Sequence, residues 1–227
     1  MKQPENNYVA ILTGDIVRSS SLPNRRRLDL FQSLQDLSRL IRQQYPADVR
    51  GGLSKFRGDG WQLLVDRPQR FFEISLYIRT YIRALFKPEK LDTRIAIAIG
   101  SVDFVPEHNI SEGFGIAFNE SGKKLDQLKN YRMGITLATP NGERFSPLFD
   151  ALLKSYDALI TSWTALQCQA VHLALQDLTQ VEIGRRWLPR PIDQATVNKH
   201  LAAAKWGLIK DGIEILNAET EKILEGG

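Results

Sequence analysis

The sequence has few of the residues that build covalent or soft-metal cross-links. It holds one cysteine, Cys168, and three scattered histidines among 227 residues. No intramolecular disulfide can form, and no Cys/His cluster stands at zinc spacing, so any metal must sit on oxygen ligands. A run of about 18 uncharged apolar residues, the length a membrane-crossing helix needs, is also missing. The start MKQPENN lacks the basic-then-apolar order of a secretory signal. These absences lead to the expectation of a cytoplasmic protein with no membrane partner. Internal repeats and low-complexity tracts are absent too, which sets aside solenoid arrays.

What is present is ordinary for a globular chain. With 43% apolar and 25% charged residues, a real core is available, for one large domain or two small ones. The net charge of +4 is unevenly spread: residues 1–145 carry 22 basic and 16 acidic side chains, and residues 146–227 carry 8 and 10. A simple nucleic-acid module is more uniformly basic than the second part.

Tyr8 to Thr13, "YVAILT", is a short apolar run of β-formers and predicts a buried strand that stops at Gly14-Asp15. Asn24 then suits the cap of a helix through Tyr45, with Leu28, Phe31, Leu34, Leu37, Ile41 and Tyr45 on its core side. Residues 51–57 and 61–66 predict a hairpin around Asp59-Gly60, because both residue types tolerate positive φ. A helical pattern over Gln69–Phe86 precedes the strand "RIAIAIGSV", Arg94–Val102; a further helix over Ala117–Lys129 precedes a strand at Arg132–Leu137. This β, α, ββ, α, β order predicts an α+β fold of ferredoxin-like or palm-like plan, with helices on one face of a mostly antiparallel sheet. Pro, Asn and Gly in "TPNGERFSP", Thr139–Pro147, mark a loop, after which the pattern is helical. The division expected is an α/β domain over 1–145 and a helical domain over 146–227.

In this plan Asp15 ends a strand and Asp59 sits at the tip of a neighbouring hairpin. Either is a turn residue, or the two converge and share a divalent cation with the phosphates of a nucleotide. The stretches "LTGDIVRSS", "KFRGDGWQLL" and "RIAIAIGSV", in this order and spacing, resemble the catalytic domain of class III nucleotidyl cyclases over about the first 135 residues. The resemblance implies that Asp15-Ile16 and Gly58-Asp59 supply the metal ligands Asp15, Ile16 and Asp59, with Mg²⁺ or Mn²⁺ as cofactor. It also implies that Lys55 and Glu112 read a base, and that Asn119 and Lys123, four apart on one helix, bind ribose and stabilise the transferring phosphoryl group. A nucleoside triphosphate is the implied ligand, and a homodimer the implied assembly, since such sites form between two subunits. Where these cyclases follow Asp-Ile-x with Gly-Phe-Thr, this chain has Arg18, Ser19 and Ser20, which can bind phosphate but without the close backbone approach that glycine permits. Lysine in place of arginine at 123 lacks the bidentate fork.

Over its whole length the chain is also similar to the bacterial SatD family, with a "TGDIVxS" start, an "RGD" hairpin, an "RIAIxIG" strand and "AFNESGKKL", Ala117–Leu125, before a C-terminal helix-turn-helix. That resemblance implies architecture rather than an activity. In the C-terminal part, helices are expected over Trp163–Leu175, from the cap Thr179 through Arg186, and after the cap Asp193 with Val197, Leu201 and Ala204 inward. The arrangement resembles the helix-turn-helix of sigma-factor region four. It implies that Gln194, Thr196, Asn198, Lys199 and Lys205 meet DNA, and that Arg185, Arg186 and Arg190 meet phosphates. From Arg185 to Lys210 six Lys/Arg stand against the single Asp193, although Pro189 and Pro191 work against close packing of the two helices. A helical bundle for dimerisation is the other reading, with Trp163, Trp187 and Trp206 in its core and the apolar residues of Gly207–Leu224 joining subunits. The expected function is a nucleotide-responsive, DNA-binding transcription regulator. The alternative is an active nucleotidyl cyclase or polymerase-like synthase whose helical tail serves dimerisation or nucleic-acid sensing.

Overall fold

The computed structural model describes residues 8–56, 58–107 and 109–226; the polar start and Arg57 of the hairpin lie outside them. Five strands, β1 (Val9–Val17), β2 (Val49–Phe56), β3 (Gly60–Val65), β4 (Asp92–Gly100) and β5 (Met133–Ala138), form one sheet in the order β2-β3-β1-β4-β5. All neighbours are antiparallel except β4 and β5. The first four strands have the βαββαβ connectivity expected from the sequence, and the fold is α+β.

β1 runs four residues past the predicted stop. Gly14 lies opposite Trp61 on β3 and Ile95 on β4, and a Cβ at this position would overlap the Trp61 indole and the Arg94 carbonyl. The glycine marks a close approach inside a sheet rather than a turn. In the hairpin, Phe56 pairs with Gly60. Gly58, at φ 63°, takes the left-handed conformation, not Asp59-Gly60.

Helix α1 (Asn24–Gln44) begins at Asn24 with Pro23 at the cap and no side-chain cap bond. Its buried residues are Leu30, Leu37 and Ile41, while Leu28 is 69% exposed, so the core stripe is the series 30, 34, 37, 41 rather than one starting at 28. α2 (Phe71–Leu85) is buried almost all round, and α4 (Ser146–Thr161) completes the same layer over β5. α3 (Ile116–Gln127) packs on the opposite face: Ala117 and Phe118 meet Val9, Ile11 and Leu64, whereas Ala10, Leu12 and Ile16 face the other helices. Helices therefore cover both faces of the sheet, not one. The alternation along β1 leaves odd-numbered residues, Asp15 among them, on the α3 side.

The C-terminal helices are α5 (Ala165–Ala174), α6 (Gln180–Arg185), α7 (Gln194–Ala203) and α8 (Trp206–Glu225). Thr164 and Thr179 each form a capping box, and Asp193 accepts from the Thr196 N–H, satisfying amides that the first helical turn leaves free. Despite Pro189 and Pro191, α6 and α7 stay packed: Ile183, Val197 and Leu201 are buried, and the chain folds back so that the Ile192 N–H donates to the Gly184 carbonyl at 3.0 Å. Trp163 and Trp187 are core residues, and Trp206 is half-buried at the edge of the same apolar cluster. One apolar cluster runs from the helix face of the sheet through α2 to α8. Within it, Arg79 of α2 is fully buried, donating to Asp92 of β4 at 2.8 and 2.9 Å and to Asp157 of α4 at 2.6 Å. Among the described residues no helix is long and apolar enough to cross a membrane.

Candidate phosphate-binding cluster

The α3 side of the sheet carries a group of charged and hydroxyl side chains at the ends of β1, β3 and β4. Asp15 and Arg94 are cross-strand partners, and Arg94 donates from Nε to Asp15 Oδ1 at 2.9 Å and from a terminal nitrogen to Asp15 Oδ2. The backbone beneath is fixed from the other side: Thr93 Oγ1 donates to the Asp15 carbonyl at 2.7 Å and accepts from Trp61 Nε1 at 3.2 Å. Beyond the strand, Ser19 Oγ donates to Asp59 Oδ2, tying the β1–α1 connection to the hairpin tip. Arg94 binds protons more tightly than a free arginine, first through its hydrogen bonds to Asp15 and then through the charges of Asp15, Asp126 and Asp59. One guanidinium is thus paired with Asp15 and feels Asp126 and Asp59 only through their charge.

The predicted ligands behave differently. Asp15 is held by Arg94, and Asp59 accepts from Ser19, four residues beyond Asp15 on the same connection. Ile16 points its side chain into the core, 3% exposed, so only its carbonyl is available to a cation. Arg18 adopts the left-handed region at φ 69°, and its carbonyl accepts from the Ser21 N–H at 3.1 Å; Ser20 is exposed.

Lys55 lies on the wall of a groove of about 500 Å³ between α1 and the hairpin, whose lining also includes Phe31, Ser38, Arg39, Asp59 and Trp61. Its ammonium stands 4.9 Å from the Phe31 ring centre, close enough for a cation–π contact. The short helical turn Ile110–Glu112 docks beside it, the Ser111 hydroxyl donating to the Lys55 carbonyl at 2.9 Å and the Ile110 N–H to Ser54 Oγ at 3.1 Å. Glu112 is exposed and accepts from Asn109 at 2.8 Å. Lys55 and Glu112 are thus carried on touching segments.

Asn119 and Lys123 are set apart from the pair. Between them Ser121 is buried, its hydroxyl 2.8 Å from that of Thr13 on β1. Residues two positions to either side lie on the opposite face of a helix, and both are exposed, Lys123 pairing with Glu120 at 2.7 Å. Among the described residues no hydrogen bond or ion pair joins either of them to Asp15, Asp59 or Arg94.

Arg94 is the member of this cluster that the sequence reading did not single out. The sequence offered one signal, a lone cation at the start of the apolar run "RIAIAIG"; its register with Asp15 needs the folded sheet.

A divalent cation suits this donor set in one respect. The available groups are hard oxygens with an excess of negative charge. Among the described residues no three His, Cys, Asp or Glu converge as a metal cage, and both Asp15 oxygens are engaged by Arg94. Mg²⁺ is commonly held by one or two carboxylates with the rest of its shell from water and phosphate, so the residues fit a cation that arrives with a phosphate rather than a resident one.

No protein-family model matches the chain, and no curated protein matches it. Among solved structures it is similar to two of a bacterial light-regulated adenylyl cyclase, at 18% and 19% identity with TM-scores of 0.39 and 0.42, each over 59% of this chain and 44% of the other. The chain therefore spans less than half of those proteins' length.

Proposed function

We propose that the chain binds the triphosphate of a nucleotide at the Asp15–Arg94–Asp59 cluster and carries out nucleotidyl-cyclase-type phosphoryl transfer there. The observation that supports this most is the bidentate Asp15–Arg94 pair at the strand ends, with the Ser19–Asp59 link beside it. Phosphoryl transfer is chiefly positioning and neutralisation of charge on phosphate oxygens. A metal held by Asp15, Asp59 and the Ile16 carbonyl would supply part of that neutralisation. Arg94, held beside the carboxylate by its pair with Asp15, has a planar fork whose geometry would match a phosphate. Ser19 and Ser20 add hydroxyl donors, and Lys55 with Glu112 contacts the base at the neighbouring groove. Asn119 and Lys123, facing outward, serve a nucleotide bridging two copies, which makes the active assembly a homodimer in the cytoplasm.

The test is to incubate the protein with each nucleoside triphosphate and Mg²⁺ or Mn²⁺, following product and thermal stabilisation together. Product and stabilisation, both lost in Asp15→Asn/Asp59→Asn, are the expected result. Stabilisation without product reduces the site to nucleotide binding, and neither effect overturns the assignment.

A second reading, a nucleotide-responsive DNA-binding regulator, is favoured by α6 and α7. Arg185, Arg186, Arg190, Gln194, Asn198, Lys199 and Lys205 are exposed, Thr196 is half-buried, and among the described residues none of these cations is in a salt bridge. In this reading the helical residues 146–227 present α7 to duplex DNA.

A further inference from the structure

A second cavity, of about 410 Å³, opens where the end of α2, the outer side of α5 and the turn between α6 and α7 meet. None of its lining residues belongs to the carboxylate cluster. Its walls are mostly apolar, with Ala84, Leu85, Leu166, Leu173, Leu188 and Pro189. One wall is aromatic: Tyr81 and His172 both line it, their ring centres 5.5 Å apart. The volume falls within the range of small-molecule pockets, roughly 300 to 1,000 Å³.

The polar groups around this cavity are unbalanced in sign. Lys87 and Arg186 are both exposed at its edge, and no Asp or Glu lines it. Among the described residues neither cation is in a salt bridge. Glu182 acts on Arg186 only at longer range, its carboxylate being taken up by Thr179. Deeper in, His172 is 9% exposed and its Nδ1 lies 3.2 Å from the Tyr77 carbonyl. That contact places the ring proton on Nδ1 and leaves Nε2 as an acceptor. The cavity therefore offers a ring-lined apolar body, one buried acceptor and two cations at the mouth.

We infer that this cavity is a binding site for a small aromatic carboxylate, with the ring system between Tyr81, Leu166 and Leu188 and the carboxylate at Lys87 and Arg186. Such a ligand touches α2 and the α6–α7 turn at once, so its occupancy braces the C-terminal helices against the sheet layer. The inference is independent of the nucleotide site.

Isothermal titration of the full chain with 2-naphthoate and with its neutral isostere 2-naphthamide tests it. Naphthoate should bind saturably at one site and about tenfold more tightly than the amide. Lys87→Ala and Arg186→Ala, both at exposed positions, should each weaken naphthoate by roughly fivefold, the scale of a surface charge contact, and leave the amide unchanged. Ala84→Phe, which fills the cavity, should abolish both. Equal affinity for acid and amide overturns the carboxylate assignment. Saturable binding that ignores both cation variants places the ligand elsewhere and overturns the site, as does no binding of either compound.

Discussion

His172 illustrates how one residue can carry a pH dependence unrelated to the candidate site. Burial among Tyr77, Tyr81 and Thr80 lowers its pKa from 6.5 to about 4. Between those values the unfolded chain takes up a proton that the native chain refuses, so stability falls as pH is lowered from 6.5 towards 4 and is flat above. The loss amounts to on the order of 3 kcal/mol. Asp92, where the pull of Arg79 outweighs the effect of burial and holds the carboxylate low, acts in a more acidic window. Chemical denaturation at a series of pH values should show the slope in the wild type and a flattened one in His172→Phe, even if the variant is less stable throughout. An equal slope in both would assign the acid sensitivity to other groups.

At the scale of elements, the sequence was most readable where a local chemical rule acts alone. Thr179 and Asp193 cap the helices predicted for them because a side-chain oxygen and a backbone N–H three residues on need no tertiary help. The chain order of strands and helices followed from apolar runs and helical spacing for the same reason. Gly14-Asp15 read as a stop because the indole that Gly14 accommodates comes from a strand some fifty residues on, and α3 was placed on the wrong face because periodicity does not say which side of a sheet a helix covers. The candidate site was half legible: both aspartates stood out, whereas the Arg94 that neutralises Asp15 is visible only once β1 and β4 are in register. α7 allows a test of the second functional reading. If it enters a DNA groove, Lys199→Ala should weaken binding and make the slope of log affinity against log salt shallower by about 0.9, the value of one phosphate contact. Fluorescence anisotropy with duplex DNA across a salt series reads this directly; no affinity at low salt leaves α5 to α8 as a packing unit.

The whole molecule is held together by contacts that cross the chain's midpoint. Arg79 reaches Asp92 on the sheet and both Asp157 and Thr161 on α4, and Arg83 donates to the carbonyls of Ile160, Thr161 and Trp163. Asp157 in turn accepts from the Arg132 N–H at 2.7 Å, just ahead of β5. These bonds lie beside the apolar cluster that joins α2 to α5 and α8, so loss of α4 to α8 would strip the cover from α2 and one of its two counter-charges, Asp157. Removing one member of a buried ion network leaves uncompensated charge and costs about 3 to 5 kcal/mol. Arg79→Ala should therefore lower the denaturation midpoint of the sheet and the C-terminal helices together. Trp61 of the sheet and Trp187 of the helical part, each studied with the other tryptophans replaced by phenylalanine, report on the two regions separately. Coincident transitions that shift by the same amount mean one cooperative unit; separate transitions, with only one moved by Arg79→Ala, mean that the two parts fold on their own and that the shared core is a docking surface.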